Sequence, residues 1–587
     1  MLCFERILQP FTRALVKGFL VAVLSRKNDS GMRVAALLFL IMMGMGWSAC
    51  AQPDFYLKGQ YGFTRADTLR GSLRPERTCF DVTFYGLNIR VDPQTRTLSG
   101  YVDIDFQVVT PTTRLQLDLD RRMSIEQIQL DGARKLAWQR EADAVFVHTP
   151  LLHPDTHHRL RVWYGGQPRK APWPPWQGGF VWEKDRNGKP WIGVACEGDG
   201  ASLWWPNKDH LSDEPDSAAI NVEIPQGVVC VANGQFRGVD TLNSGWYRYH
   251  WFVSYPINNY NITVNIGDYV HFRDWWVADD GDTLALDYYV LSYNEEKAKK
   301  HFQQVQGVLS CFERYFGKYP FWRDGYALVE TPYLGMEHQG AIAYGNKFKK
   351  GYLGRGIPEH MDWDYIIVHE TGHEWFGNCL SVADLAEMWI HESFTTYMES
   401  LYVECRYGYS EAVNYLMSQR HRISNQEPIL GPMGVNWEDW RGSDHYFKGA
   451  WLLHTLRHAI GNDELWFDLL KRFYLTYACG IVQTADFVQF VNEATGHDWS
   501  AVFDQYLRWT RIPVLQYRIE QNPNGAFWAY RWQADVPAFD MPIFVEIDGK
   551  RRQIIPQVGR WQHLPVVQPD EVRVPIELFL IELEALP

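Results

Sequence analysis

Hydrophobic and polar residues alternate with a period of two through much of the first half of the chain. Val102, Ile104, Phe106 and Val108 are separated by polar positions, and Leu115, Leu117 and Leu119 repeat the pattern. Residues two apart share one face of a strand, so these runs predict half-buried β-strands. Asp185-Arg186-Asn187-Gly188 lies between Gly179–Lys184 and Trp191–Val194 and predicts a hairpin. The β-rich pattern covers 52–267. Over 268–512 the period turns helical. Helices are predicted at Glu296–Phe316, Trp363–Cys379, Leu385–Arg406, Glu411–Ser418, Tyr446–Ile460, Asp463–Tyr477 and Ala485–Glu493, with Asn462 and Thr484 as N-caps of the last two. Tyr326–Glu330 and Ala341–Tyr344 read as strands within that region. Short strands return over 513–587, at Val514–Ile519, Phe527–Gln533, Ile543–Ile547, Arg552–Ile555 and Val572–Val574, and predict a small β-sandwich. No period of 20–50 residues recurs, which excludes a repeat architecture. The pattern is that of a multidomain α+β protein.

The first 51 residues form a targeting segment. Met32 and Arg33 precede an apolar run, Val34–Met45, and Ala49-Cys50-Ala51 then offers a small-residue cleavage site before Gln52. That is the layout of a secretory signal peptide whose translation starts at Met32. A membrane anchor over Val34–Ala51 and lipidation of Cys50 are the alternatives, and each predicts an exported protein, periplasmic or extracellular. The net charge of −13 argues against a nucleic-acid partner. Cys79, Cys196, Cys230, Cys311, Cys379, Cys405 and Cys479 are scattered and odd in number, and read as mostly free, buried thiols.

The candidate chemistry is concentrated between Val368 and Glu399. His369, Glu370 and His373 form HExxH on a predicted helix, where histidines four apart lie one turn from each other and can reach one metal ion. Catalytic zinc usually takes three protein ligands and keeps an open position. With eighteen residues between them, Glu392 follows His373 on the next predicted helix and completes a His369, His373, Glu392 set for one zinc per chain. Glu370 is then left as the general base for water. Glu387 and His391 are candidates to orient a ligand imidazole.

HETGHEW followed by Glu392 in WIHESF resembles the gluzincin aminopeptidases, the family of aminopeptidase N and leukotriene A hydrolase. Leu334–His338, LGMEH, is similar to that family's GAMEN segment. Tyr446–Gly449, YFKG, is similar to its YEKG segment, and Cys196–Pro206 occupies the place of its amine-binding loop. The resemblance spans roughly Phe80 to Met541. It implies an N-terminal β-saddle, a thermolysin-like α+β catalytic domain and a β-sandwich behind it. It also implies that Glu337 and Glu197 bind the substrate's free amine, that Gly335 and Met336 contact substrate, and that Tyr446 stabilises the oxyanion. The segment departs from the family at Ala195, Leu334 and His338. The function expected is hydrolysis of the first peptide bond of peptides with a free N-terminus. A thermolysin-type endopeptidase and a non-catalytic peptide-binding relative are the competing readings.

Overall fold

The computed structural model describes residues 62–587, apart from 244, 438, 524, 569 and 570. The signal-like stretch and the alternatives at Val34–Ala51 and Cys50 lie outside the described residues. Two short helices come first, α1 (Arg65–Gly71) and α2 (Pro75–Thr78). A capping box starts α1: Thr64 Oγ1 accepts from Asp67 N, and Asp67 Oδ2 accepts from Thr64 N.

The alternating segment then builds an eight-stranded sheet. Phe80–Asp92 lies inside it, antiparallel to Thr97–Val108 and parallel to Ser217–Pro225. Val102, Ile104, Phe106 and Val108 are buried on its inner face, whereas Leu115 and Leu117, with Leu119 just after them, belong to a separate three-stranded segment in which Gln116 and Asp118 are buried as well. The expected hairpin joins Gly179–Lys184 to Pro190–Ala195 in a second, four-stranded sheet. Asp185 Oδ1 closes its turn by accepting from Asn187 N and Lys189 N. Ala195 ends this hairpin, so the chain leaves a rigid strand directly into the loop that carries Glu197.

The following region opens with strands where helical sequence was expected. Tyr269–Val277 and Thr283–Leu291 pair, and the sheet continues through Tyr326–Glu330 and Ile342–Tyr344 to the edge strand Gly335–Met336. Nine helices accompany that sheet among the described residues: α3 (Glu295–His301), α4 (Gln304–Phe316), α5 (Tyr365–Gly372), α6 (Trp389–Tyr407), α7 (Tyr409–Gln419), α8 (Asp444–Ile460), α9 (Asp463–Tyr477), α10 (Thr484–Thr495) and α11 (Ser500–Arg508). The expected Glu296–Phe316 helix is broken at Phe302–Gln303, and α11 is additional. α5 is shorter than the expected Trp363–Cys379. It starts after Asp364, whose Oδ1 accepts from Ile366 N and Ile367 N. It stops at His373, because Gly377 takes a φ of 124° and returns its N–H to Leu380 O. Leu385–Glu387 is a separate single turn ahead of α6.

Every residue of α6 from Trp389 to Val403 is buried. α8 meets it at Gly449, where an added Cβ would lie 1.7 Å from Ser393 Oγ and 2.6 Å from Ser393 Cβ. Ser393 cannot easily yield, since its hydroxyl donates to His445 O at 2.6 Å. Lys448 beside it donates to Trp509 O and Thr510 O and ties α8 to the chain entering the last sheet. Burial brings that ammonium down to about 8.

Val514–Asn522, Gly525–Gln533, Gln562–Val566 and Glu582–Ala585 form a four-stranded sheet, and Ile543–Ile547 with Lys550–Ile554 a hairpin. Val572–Val574 is not a strand; Arg573 alone bridges Glu546, and the partly hydrophobic tail strand Glu582–Ala585 takes the sheet position beside Val514. Trp528, Trp532, Ile543 and Val545 share one core with α4–α11. Cys311 on α4 and Cys405 on α6 form a disulfide, which corrects the reading of this pair as free thiols; helix packing, invisible in the spacing of the cysteines, brings them together. Cys79, Cys196, Cys230, Cys379 and Cys479 are free. Among the described residues no helix is long and apolar enough to cross a membrane.

The contact between α6 and α8 is tested by Gly449→Ala. Overpacking there is expected to cost about 1–3 kcal/mol, seen as a lower urea midpoint. A midpoint equal to that of the parent protein would show that the helices do not meet at this glycine.

Candidate active site

α5 presents His369 and His373 on one face, with their Nε2 atoms 3.2 Å apart. Glu392, in the first turn of α6, completes a triangle: its Oε2 lies 3.4 Å from His369 Nε2 and 3.5 Å from His373 Nε2. A triangle with these edges has its corners ~2 Å from its centre, the length of a zinc–nitrogen or zinc–carboxylate bond. All three side chains are buried, and Glu392 Oε2 accepts no hydrogen bond. An orphaned carboxylate oxygen between two imidazole nitrogens is costly unless a cation fills the space. The donor set therefore fits zinc.

The far side of each imidazole is fixed. His369 Nδ1 pairs with Glu399 Oε1 at 2.7 Å, and Glu399 Oε2 accepts from Tyr415 OH and Gln419 Nε2. His373 Nδ1 donates to Phe376 O at 3.0 Å. With both Nδ1 atoms engaged, both Nε2 atoms are free to act as ligands. The expected orienting groups are elsewhere: Glu387 Oε1 accepts from Thr484 N, and the buried ring of His391 has no hydrogen-bond partner. Glu399 takes that part instead. It follows Glu392 by two helical turns, so the spacing that puts both on one face of α6 was readable in the sequence.

Three further carboxyls crowd the triangle. Ligand-type atoms of Glu337, Glu370 and His373 lie within 4.8 Å of one another. Burial pushes Glu370 up to about 8, with His369 and His373 opposing the shift. Gly335 makes room for it, since a Cβ there would come 2.6 Å from Glu370 Oε1. Met336 follows, buried on the edge strand, and leads into Glu337. Burial raises the Glu337 carboxyl as well. Tyr260 OH donates to Glu337 Oε1 at 3.0 Å, and Asn378 Nδ2 donates to Glu337 O at 2.7 Å. Neither Tyr260 nor Asn378 carries a motif that would single it out in the sequence.

Glu197 is half-buried. Burial, and then the charges of Glu337, Glu392 and Glu370, raise its carboxyl well above the usual range. Tyr446, in the first turn of α8, stacks on His369 with ring centroids 6.1 Å apart. Burial and the Glu392 charge hold that phenol protonated. His369, Glu370, His373, Glu392, Glu337, Glu197 and Tyr446 thus lie close together, with Gly335 and Met336 on the strand beside them, whereas Glu387 and His391 bond no ligand imidazole. A small cavity adjoins Glu197 and Tyr260, lined by Arg70, Asp209, His210 and Asp384 as well as by Leu211, Leu385, Met388 and Val435.

Two histidines on one helix and a glutamate on the next, beside a small mixed sheet with a short edge strand, make a three-ligand site that suits zinc. Comparison with known proteins agrees. Residues 300–506 match the Peptidase family M1 domain. The chain is 22% identical over 373 residues to a probable aminopeptidase 1 of Sulfurisphaera tokodaii, covering 58% of this chain and 45% of that protein. It is 22% identical to aminopeptidase N of Escherichia coli (56% and 39% covered) and 25% identical to mouse aminopeptidase B (46% and 41%). The chain thus spans less than half the length of these curated relatives. Its fold is similar to an M1 zinc metallopeptidase from Deinococcus radiodurans, a mutant solved with a Tyr-Ser-Ala substrate. The TM-score is 0.60 at 22% identity, covering 73% of this chain and 94% of that one. A two-domain M1 zinc metallopeptidase mutant bound to L-tryptophan gives a TM-score of 0.58 at 23% identity, with 71% and 93% covered.

Replacing Glu399 by Gln keeps its shape but weakens the hold on His369. Zinc affinity, measured by chelator competition, is expected to fall about 10- to 100-fold. Unchanged affinity would show that Glu399 does not orient the ligand.

Proposed function

We propose that this protein is a zinc aminopeptidase that releases the first residue of peptides with a free α-amine. One observation carries the reading: buried Glu337 and half-buried Glu197 converge beside the His369, His373, Glu392 triangle. Buried carboxyls are raised in pKa unless a cation meets them. Zinc meets Glu392, and an α-ammonium meets Glu337 and Glu197. A chain interior has no such charge to offer, so cleavage falls at the first bond. The relative from D. radiodurans crystallised with Tyr-Ser-Ala supports a peptide as the substrate.

Zinc, held by His369, His373 and Glu392, supplies a Lewis acid that makes water easier to ionise and polarises a carbonyl. Glu370 takes a proton from the attacking water on its carboxylate and passes it to the leaving nitrogen. Tyr446 donates its O–H to the developing oxyanion. Its stacking on the ligand ring of His369 supports that role. Gly335 and Met336 form a sheet-edge strand, which supports backbone pairing with an extended peptide. The cavity beside Glu197 and Tyr260 receives the first side chain. We further propose that the protein acts after export, which the Cys311–Cys405 disulfide supports.

The test compares leucine p-nitroanilide with its N-acetyl derivative. The free amine is expected to be cleaved at least ~10³-fold faster in kcat/KM, the equivalent of about 4 kcal/mol for a buried charge pair. Equal rates would favour an endopeptidase of thermolysin type. In the same assay Glu370→Gln should keep its zinc and lose about 10²- to 10⁴-fold in kcat; full turnover would remove Glu370 from the mechanism.

A further inference from the structure

Cys379 and Cys479 are 100 positions apart in the chain, yet their sulfurs lie 2.9 Å from each other. Two short parallel strands bring them together. Leu380–Val382 pairs with Gly480–Val482 in the register Leu380↔Gly480, so each cysteine immediately precedes a paired strand. Gly480 N donates to Cys379 O at 3.1 Å. Cys479 N donates to Cys379 Sγ at 2.9 Å, and Tyr474 OH donates to the same sulfur at 3.3 Å. Cys379 is buried; Cys479 is partly exposed, at a φ of 53° that turns its side chain back towards its partner. The two thiols thus differ in access, one open to a reagent and one shielded behind it.

We propose that Cys379 and Cys479 form a second disulfide, which locks the turn behind the metal-binding helix. The residue before Cys379 shows what the lock would hold. Asn378 N donates to His373 O, its Nδ2 donates to Glu337 O, and its Oδ1 accepts from Asn261 Nδ2 at 2.6 Å. This one side chain links the turn after the metal-binding helix to the backbone of Glu337. A bond from its neighbour to the α9–α10 connection fixes the turn from behind. The importance of that turn for substrate rests on the function proposed above; the cross-link itself does not.

The chemistry needs an external disulfide, such as oxidised glutathione or a thiol oxidoreductase. The Cys479 thiolate attacks one sulfur of that disulfide, gives a mixed disulfide and releases one thiol. The Cys379 thiolate then attacks Cys479 Sγ and releases the second. Both protein sulfurs are oxidised, and the two electrons and two protons leave with two molecules of external thiol.

The test incubates the purified full chain with oxidised glutathione, blocks remaining thiols with iodoacetamide, and maps peptides by mass spectrometry without reduction. A cross-linked peptide pair joining Cys379 and Cys479 is expected, alongside the Cys311–Cys405 pair. In the same oxidised state, Cys479→Ser is expected to melt about 5 °C below the parent protein, because the cross-link closes a long loop. If the Cys311–Cys405 pair is recovered while both Cys379 and Cys479 are carbamidomethylated, or if Cys479 carries only glutathione, the proposal is overturned. Neither readout uses a peptide substrate, so its failure is distinct from failure of the aminopeptidase reading.

Discussion

Charge buried away from water is the constraint on which this structure depends. Glu197, Glu337, Glu370 and Glu392 crowd into one largely closed pocket with two imidazoles. Four carboxylates in a low-dielectric space repel one another and lose hydration, and the fold cannot hold them so without compensation. A divalent cation between His369, His373 and Glu392 removes part of that cost. A positively charged terminus of the proposed substrate would remove more. The arrangement that is unfavourable when empty is therefore the one that selects its occupants.

The surrounding elements are arranged to keep that pocket rigid. Asp364 starts α5 by capping its N-terminus and also accepts from Tyr344 OH at 2.7 Å, tying the metal-binding helix to the sheet. Glu399 fixes one ligand imidazole and Phe376 O the other. Glu374, one residue past His373, accepts from Tyr319 OH and Gly340 N, joining the end of the helix to the loop after Glu337. Gly335 lets the edge strand approach the base, and Gly449 lets α8 bring Tyr446 over His369. Each contact restrains a different approach to the same few atoms. A fixed pocket need not reorganise as charge develops in a reaction.

Much of the site was legible because its chemistry is tied to helical spacing. His369 and His373 are one turn apart, and Glu392 lies in the first turn of the next helix. Glu399 follows the same logic and was overlooked in favour of nearer neighbours, Glu387 and His391. The strands of the first half were equally plain, since Val102 to Val108 alternate cleanly. Leu284, Leu286, Tyr288 and Val290 alternate as plainly and were overlooked inside a region read as helical. Legibility failed where long-range packing decides. The end of α5 is set by the turn at Gly377, not by any loss of helical pattern. Cys311 and Cys405 meet because α4 packs on α6, and Tyr260 reaches Glu337 from a distant part of the chain. No local rule announces such contacts.

The central claim is that two imidazole nitrogens and one carboxylate oxygen grip a single zinc ion. X-ray absorption at the zinc edge of the purified protein tests it most directly. The account predicts close to one zinc per chain, a nitrogen and oxygen shell at about 2.0–2.1 Å, and outer scattering from two imidazoles. Zinc well below stoichiometry, or a sulfur shell at about 2.3 Å, would contradict it.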